Sequence, residues 1–279
     1  MPHGRIGDVK ADRVSLSRHV GPRQRLGVRG VVARTSTTIT PTPTVQGDEH
    51  AGRMRVCHDV GMPNVLTVDI WSDVVCPFCY LGYRQFHDAL ARFEHAEHVT
   101  VRHHAFELDP RAPPADGTPL NEMLAKKYSV SLAQAAAMNQ RVDDGARELG
   151  MTWRLDRAQP TNTFDAHRVI ALAARQDRQG AMLERLFRAY FSDGELVSDH
   201  STLIRLATDT GVTGAAELLA SDASSDEVRQ DEDLAARLGI TGVPALIFNS
   251  RLYVSGAQGT EGMSRALNTA WSQQVETSA

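Results

Sequence analysis

Cysteine is scarce in this chain: three among 279 residues, Cys57, Cys76 and Cys79. That is too few to staple a small secreted scaffold, so the fold must rest on a hydrophobic core. No apolar run is long enough to cross a bilayer, and the opening residues lack the apolar segment of a secretory signal. These absences predict a cytoplasmic protein with no membrane partner. A strong excess of charge is missing too. The net charge of −4 gives no reason to expect nucleic acid as a partner.

The charge that is present is unevenly placed. Residues 1–62 hold ten Lys and Arg against five Asp and Glu, a net of +5 that leaves −9 for residues 63–279. The same stretch contains the polar tract Thr35 to Thr44, which has no means of burying a core. Residues 1–62 are expected to be a disordered basic extension, or to lie upstream of the true start, with Met54 and Met62 as alternative first residues.

Beyond Met62 the pattern changes. Val65 to Trp71 is a β-branched, aromatic-rich run of strand length. After it, Phe78, Leu81, Tyr83, Phe86, Leu90 and Phe93 recur at helical spacing, and Val99 to Phe106 reads as a second strand. From about Thr118 to Leu238 the signals are helical. Thr118-Pro119 suggests an N-cap followed by proline, and Ser131-x-x-Gln134 and Ser224-x-x-Glu227 suggest capping boxes. Ala245 to Phe248 and Leu252 to Ser255 then form a hairpin pattern, with a last helix predicted over Gly262 to Trp271. The order β-α-β, helical block, β-β-α predicts an α/β fold. Residues 63–115 and 239–279 make one domain, and residues 116–238 an inserted all-helical domain.

Cys76-Pro77-Phe78-Cys79 sits between the first strand and the first helix. A thiolate is the species that attacks a disulfide, so a redox cysteine needs a stabilised anion and an accessible sulfur. A helix N-terminus favours the anionic sulfur, and the second cysteine lies one turn inside, where it can close the ring. Pro77 fits the first helical turn, where a missing N–H costs nothing. A zinc site would need two more ligands at finger-like spacing, and Cys57-His58 is the only nearby pair. No metal is expected.

Gly242-Val243-Pro244 precedes the third strand, a position that suits proline because it cannot donate to a sheet ladder. Taken with the cysteine pair, Ile240-Thr241-Gly242-Val243-Pro244 resembles the cis-proline loop of thioredoxin-like proteins. The segment Trp71 to Gly82, the runs Asn162 to Arg168 and Phe187 to Phe191, and Val254 to Gln258 together resemble the FrnE-like branch of the DsbA family. The resemblance spans about residues 64–275 and implies a thioredoxin-like fold with an inserted helical domain.

It also implies a thiol–disulfide oxidoreductase with Cys76 and Cys79 as catalytic residues. Pro77, Phe78, Val243 and Pro244 would bind substrate, with Pro244 in a cis peptide. The acid that such proteins often bury six residues before the first cysteine is replaced here by Ile70, which makes Asp69 the candidate for proton transfer. Cys57 reads as a spare surface thiol, His103 and His104 as structural, and His167 as a packing residue on a helix.

The expected partners are protein or small-molecule thiols and disulfides. No cofactor is needed, although glutathione is a candidate co-substrate, and the chain is expected as a monomer or homodimer. Two other functions fit parts of the pattern. One is a glutathione-dependent transferase or isomerase related to the kappa-class transferases and 2-hydroxychromene-2-carboxylate isomerase, which typically carry serine where Cys76 stands. The other is a non-enzymatic chaperone or binding module.

Overall fold

The computed structural model describes residues 65–115 and 117–278, which fall within one compact unit. Cys57 and the 1–62 stretch lie outside the described residues. β1 (Leu66–Ser72) leads into α1 (Pro77–Leu90), and a 3-10 turn at Ala96–His98 precedes β2 (Val99–Ala105). The helical block follows as α2 (Leu120–Tyr128), α3 (Leu132–Glu148), α4 (Phe164–Ala174) and α5 (Gln179–Arg188), which runs on into a π-helical turn at Ala189–Asp193. It continues with α6 (His200–Asp209), α7 (Ala215–Leu219) and α8 (Ser225–Arg237). β3 (Ala245–Phe248), β4 (Leu252–Ser255) and α9 (Gly259–Ser278) complete the chain.

The four strands form one sheet in the order β2-β1-β3-β4. β1 runs parallel to β2, with Leu66 opposite Val99 and Ser72 opposite Ala105. β3 is antiparallel to both β1 and β4. The pleat of β1 divides its side chains between two layers. Leu66, Val68 and Ile70 pack with Phe86 of α1 and with Met263 and Leu267 of α9. Trp71 packs on the other side with Ala235 of α8, Ile240 and Ala245. This is an α/β thioredoxin-like fold into which a helical block is inserted.

Several helix starts differ from those the sequence predicts. α2 begins one residue late because Pro119 itself is the N-cap, held extended at φ −60° and ψ 143°, so Thr118 does not cap it. At α3 the capping box forms in both directions between Ser131 and Gln134. At α8 it does not, since Ser224 is left-handed at φ 62° and its side chain makes no capping bond. α7 carries too few residues to show a period, and α9 starts at Gly259 and runs to Ser278, longer than expected. No helix among the described residues is long and apolar enough to span a membrane.

Candidate active site

Cys76 is the N-cap of α1, with an extended backbone at φ −88° and ψ 114°, and proline opens the helix behind it. Its carbonyl accepts the Cys79 N–H at 3.1 Å and the Tyr80 N–H at 3.3 Å, which starts the helical ladder. Its own N–H donates to the Asp73 carbonyl at 3.1 Å, tying the preceding turn to the helix. Both cysteines are free thiols. The motif chemistry asks for an accessible sulfur, yet Cys76 is only 3% exposed and Cys79 only 1%. Phe78, between them in sequence, is 50% exposed and presents an apolar side chain to solvent beside the pair.

The loop before β3 closes over the cysteines. Cys76 Sγ lies 3.7 Å from the Val243 carbonyl oxygen, to which the thiol donates. The Val243–Pro244 peptide is cis, and the Pro244 carbonyl is anchored by the Gly256 N–H at 2.8 Å. α1 can approach this loop because Gly82 faces it. A Cβ at Gly82 would lie 3.1 Å from Pro244 Cγ. The buried side of the pair is a narrow cavity lined by Ile70, Ser72, Cys79, Gly82, Tyr83 and His103, among others.

The two thiols are not equivalent. Burial pushes Cys79 well above the ordinary thiol range, and the adjacent Cys76 sulfur and the Asp73 charge push it further. Cys79 is therefore a protonated thiol in the resting pair. The helical block reaches the same place from behind: the Tyr80 ring stacks on Phe187 at 4.9 Å and Trp153 at 5.7 Å between centroids.

Asp69 is not beside the cysteines. Its carboxylate faces the opposite side of the sheet from Ile70, accepting from Arg102 Nε at 2.8 Å and meeting His104 Nε2 at 2.9 Å. Those partners hold Asp69 below the usual carboxylate range against the upward push of burial. The buried acid at the site is Asp73. One of its oxygens accepts the Leu108 N–H at 2.7 Å, and the other faces His167 Nε2 at 3.5 Å. The sequence does not single out Asp73, and its one signal is its place three residues before Cys76. His167, on α4, is almost fully buried and faces Asp73. Asn162 is occupied structurally: its Oδ1 accepts the Phe164 N–H and its Nδ2 donates to Glu107. Among the described residues no group of three or more His, Cys, Asp or Glu side chains is arranged to hold a metal ion.

Residues 67–268 match the DSBA-like thioredoxin domain family. The chain is 39% identical to a Streptomyces coelicolor protein described as a probable DsbA oxidoreductase. That crystal structure superposes with a TM-score of 0.71 over 74% of this chain and 90% of the other. The cytosolic disulfide reductase DsbM of Pseudomonas aeruginosa shares the fold at 19% identity, with a TM-score of 0.53 over 74% of this chain and 99% of its own. The Bacillus subtilis protein YwbO is 25% identical over 210 residues, covering 72% of this chain and 95% of YwbO. With Cys76 capping the first helix of that domain and Cys79 inside its first turn, the chain belongs to the DsbA-like thioredoxin family.

Proposed function

We propose that the protein is a thiol–disulfide oxidoreductase of the FrnE-like kind, exchanging disulfides through Cys76 and Cys79. The observation that carries this reading is the placement of the Cys76 sulfur. It lies at the N-terminus of α1, in contact with the Val243 carbonyl and directly over a buried, protonated Cys79.

As a thiolate, Cys76 attacks one sulfur of a substrate disulfide. A Cys76–substrate disulfide forms, and the other substrate sulfur leaves with the electron pair. Cys79 then gives up its proton and attacks Cys76 Sγ. The intramolecular disulfide closes, the mixed disulfide breaks, and the second substrate thiolate departs. The reverse sequence oxidises a dithiol. Val243 and Pro244 supply the backbone edge along which an extended substrate lies, and Phe78 the apolar surface beside it. Substrate has to displace the contact between Cys76 and Val243, which accounts for a sulfur that is buried at rest.

Protein disulfides and small thiols are both proposed as partners. A structure of DsbM has been determined with GSH, which supports glutathione as a co-substrate. We place the protein in the cytoplasm. The test is a pair of substitutions assayed by insulin reduction and by equilibration with glutathione redox buffers. Cys79→Ser is expected to accumulate mixed disulfides at Cys76, and Cys76→Ser to lose exchange altogether. Full turnover by Cys79→Ser would instead favour a glutathione transferase or isomerase. Undiminished function in Cys76→Ser would favour a binding module.

A further inference from the structure

Cys76 is 3% exposed and Cys79 1%, so an incoming disulfide needs room beside the pair as well as a sulfur released from Val243. Two bodies flank α1 where it carries the pair. The loop before β3 lies against Gly82, and the hairpin of α2 and α3 lies against Leu81 through Gly145. The loop is fixed, since Gly256 holds the Pro244 carbonyl and β3 pairs with both β1 and β4. The hairpin is held quite differently.

Among the described residues, every hydrogen bond and ion pair of residues 120–149 stays within the hairpin or its two ends. Asn139 donates to Asn121 at 2.6 Å, which ties the two helices to each other. Outside the hairpin the main neighbour is α1. That contact is apolar and shallow. Val142, Gly145, Ala146 and Leu149 share one face of α3, and α2 adds Leu120. α2 buries no residue fully, and α3 buries only Ala135 and Ala146. At the tip Tyr128 and Leu132 are 52% and 56% exposed, so the far end is not clasped.

Both junctions turn on a left-handed glycine, Gly117 at φ 81° and Gly150 at φ 71°, with nothing near where a Cβ would stand. Just beyond them the chain is anchored. The Pro113 carbonyl accepts the Asn162 N–H, and the Arg154 N–H donates to the Phe191 carbonyl at 2.7 Å. The rest of the helical block is bolted to the thioredoxin-like part by polar bonds. Gln179 exchanges two hydrogen bonds with the His103 backbone, Asp231 accepts from the Ala105 N–H, and the Tyr83 hydroxyl donates to the Gly180 carbonyl. Directional bonds of this kind fix a geometry, whereas an apolar contact does not. The part of the block free to move is the hairpin alone.

We propose that the α2–α3 hairpin is a lid that swings on Gly117 and Gly150 and uncovers Cys76 for an extended disulfide substrate, while α4 to α8 stay in place. Leu120, Val142 and Leu149 pack against the same buried cluster as Cys76, Cys79 and Leu81. Leu81 shares a helix face with Pro77 and Phe78, so a hairpin resting on Leu81 borders the side chain beside Cys76. Elements that open for function are drawn from the least tethered parts of a fold. The inference rests on the redox reading for the nature of the substrate.

The experiment treats the reduced full-length chain with iodoacetamide and follows modification of Cys76 by peptide mass spectrometry. Hydrogen exchange and melting temperatures are measured alongside. Short helices fray once their support is gone, so the amides of residues 120–149 are expected to exchange faster than those of α4 and α5. Val142→Ala removes two methyl groups from the contact and should speed alkylation about fivefold. Gly145→Ala places its methyl group 3.7 Å from Leu81 Cδ1, an ordinary contact, and should slow alkylation about threefold. If Val142→Ala does not fold, Gly145→Ala decides alone. Equal alkylation rates in the folded variants and wild type overturn the proposal, as does a hairpin that exchanges no faster than α4 and α5. Alkylation needs no disulfide exchange, so the lid is tested apart from the redox reading. A chain that alkylates in the expected order but never closes a disulfide between Cys76 and Cys79 keeps the lid and loses the redox pair.

Discussion

His103 and His104 are adjacent on β2, and the pleat sends them to opposite faces of the sheet with opposite electrostatic outcomes. His103 points among Tyr83 and His87. Burial, with the nearby His87 and His104 adding to it, lowers it to about 3. His104 stacks on Trp71 with 4.4 Å between centroids, and its two ring nitrogens meet Asp231 at 2.6 Å and Asp69 at 2.9 Å. Burial pushes His104 down, but the hydrogen bonds and charges of Asp231 and Asp69 outweigh that and raise it to about 9.

The two shifts act on opposite limbs of the stability profile. Below pH 6.5 the unfolded chain binds a proton at His103 that the native state refuses, so stability falls as the pH drops toward 3. Above pH 6.5 the native state keeps a proton on His104 that the unfolded chain has lost. That contribution disappears as the pH rises through about 9 and amounts to about 3 kcal/mol at most. Urea midpoints measured from pH 5 to 9.5 should therefore peak near neutrality. His104→Gln should flatten the alkaline fall, and His103→Leu should soften the acid one. An alkaline slope that survives intact in His104→Gln would show that the Asp231–His104–Asp69 chain is not its source.

At the scale of elements, the contact that sets the site is α1 against the loop before β3. Gly82 is the residue that permits it. An added Cβ would press on Pro244 at 3.1 Å, closer than such atoms normally sit, so the proline ring has to give by a few tenths of an ångström. Gly82→Ala is good for helix propensity, so its effect on melting should be small. Moving the Val243–Pro244 edge away from Cys76 should nevertheless slow exchange with protein disulfides severalfold. Equal exchange rates in Gly82→Ala and wild type would mean that the loop adapts freely.

Elements whose signals are local were legible in the sequence. The β-branched, aromatic-rich run of β1, the cap of α3 and the Cys-x-x-Cys placed between strand and helix each depend on neighbours within a few residues. What was not legible depends on tertiary placement. Counting back six residues from Cys76 points to Ile70 and makes its neighbour Asp69 the candidate acid, but the pleat turns Asp69 away from the cysteines toward Arg102 and His104. Asp73 becomes the buried acid only because the turn that carries it folds under Leu108 and α4. His167 stands in a helix whose Ala166, Val169, Ile170 and Ala173 are all buried, so an imidazole there was the one available hint.

At the scale of the molecule, the helical block and the sheet do not have separate interiors near the site. Cys76, Cys79 and Tyr80 of the thioredoxin-like part belong to the same buried cluster as Trp153, Leu183, Phe187 and Phe191 of the block. A residue such as Tyr80, stacked on three aromatic rings of the block, transmits loosening of either part to the other. Its truncation to alanine is expected to cost about 3–5 kcal/mol, as for other large buried aromatics. Shared packing of this kind predicts one unfolding transition for both parts. Tryptophan offers the means to see it, because Trp153 lies in the block and Trp271 on α9, against Phe93 and His95. Single-tryptophan variants that keep one or the other, with phenylalanine elsewhere, should unfold at the same urea concentration, coincident with the loss of helical circular dichroism. If the Trp153 probe melts first, with ring closure between Cys76 and Cys79 still intact, the helical block is dispensable to the redox pair. The stacked aromatic seam would then serve the stability of the block alone.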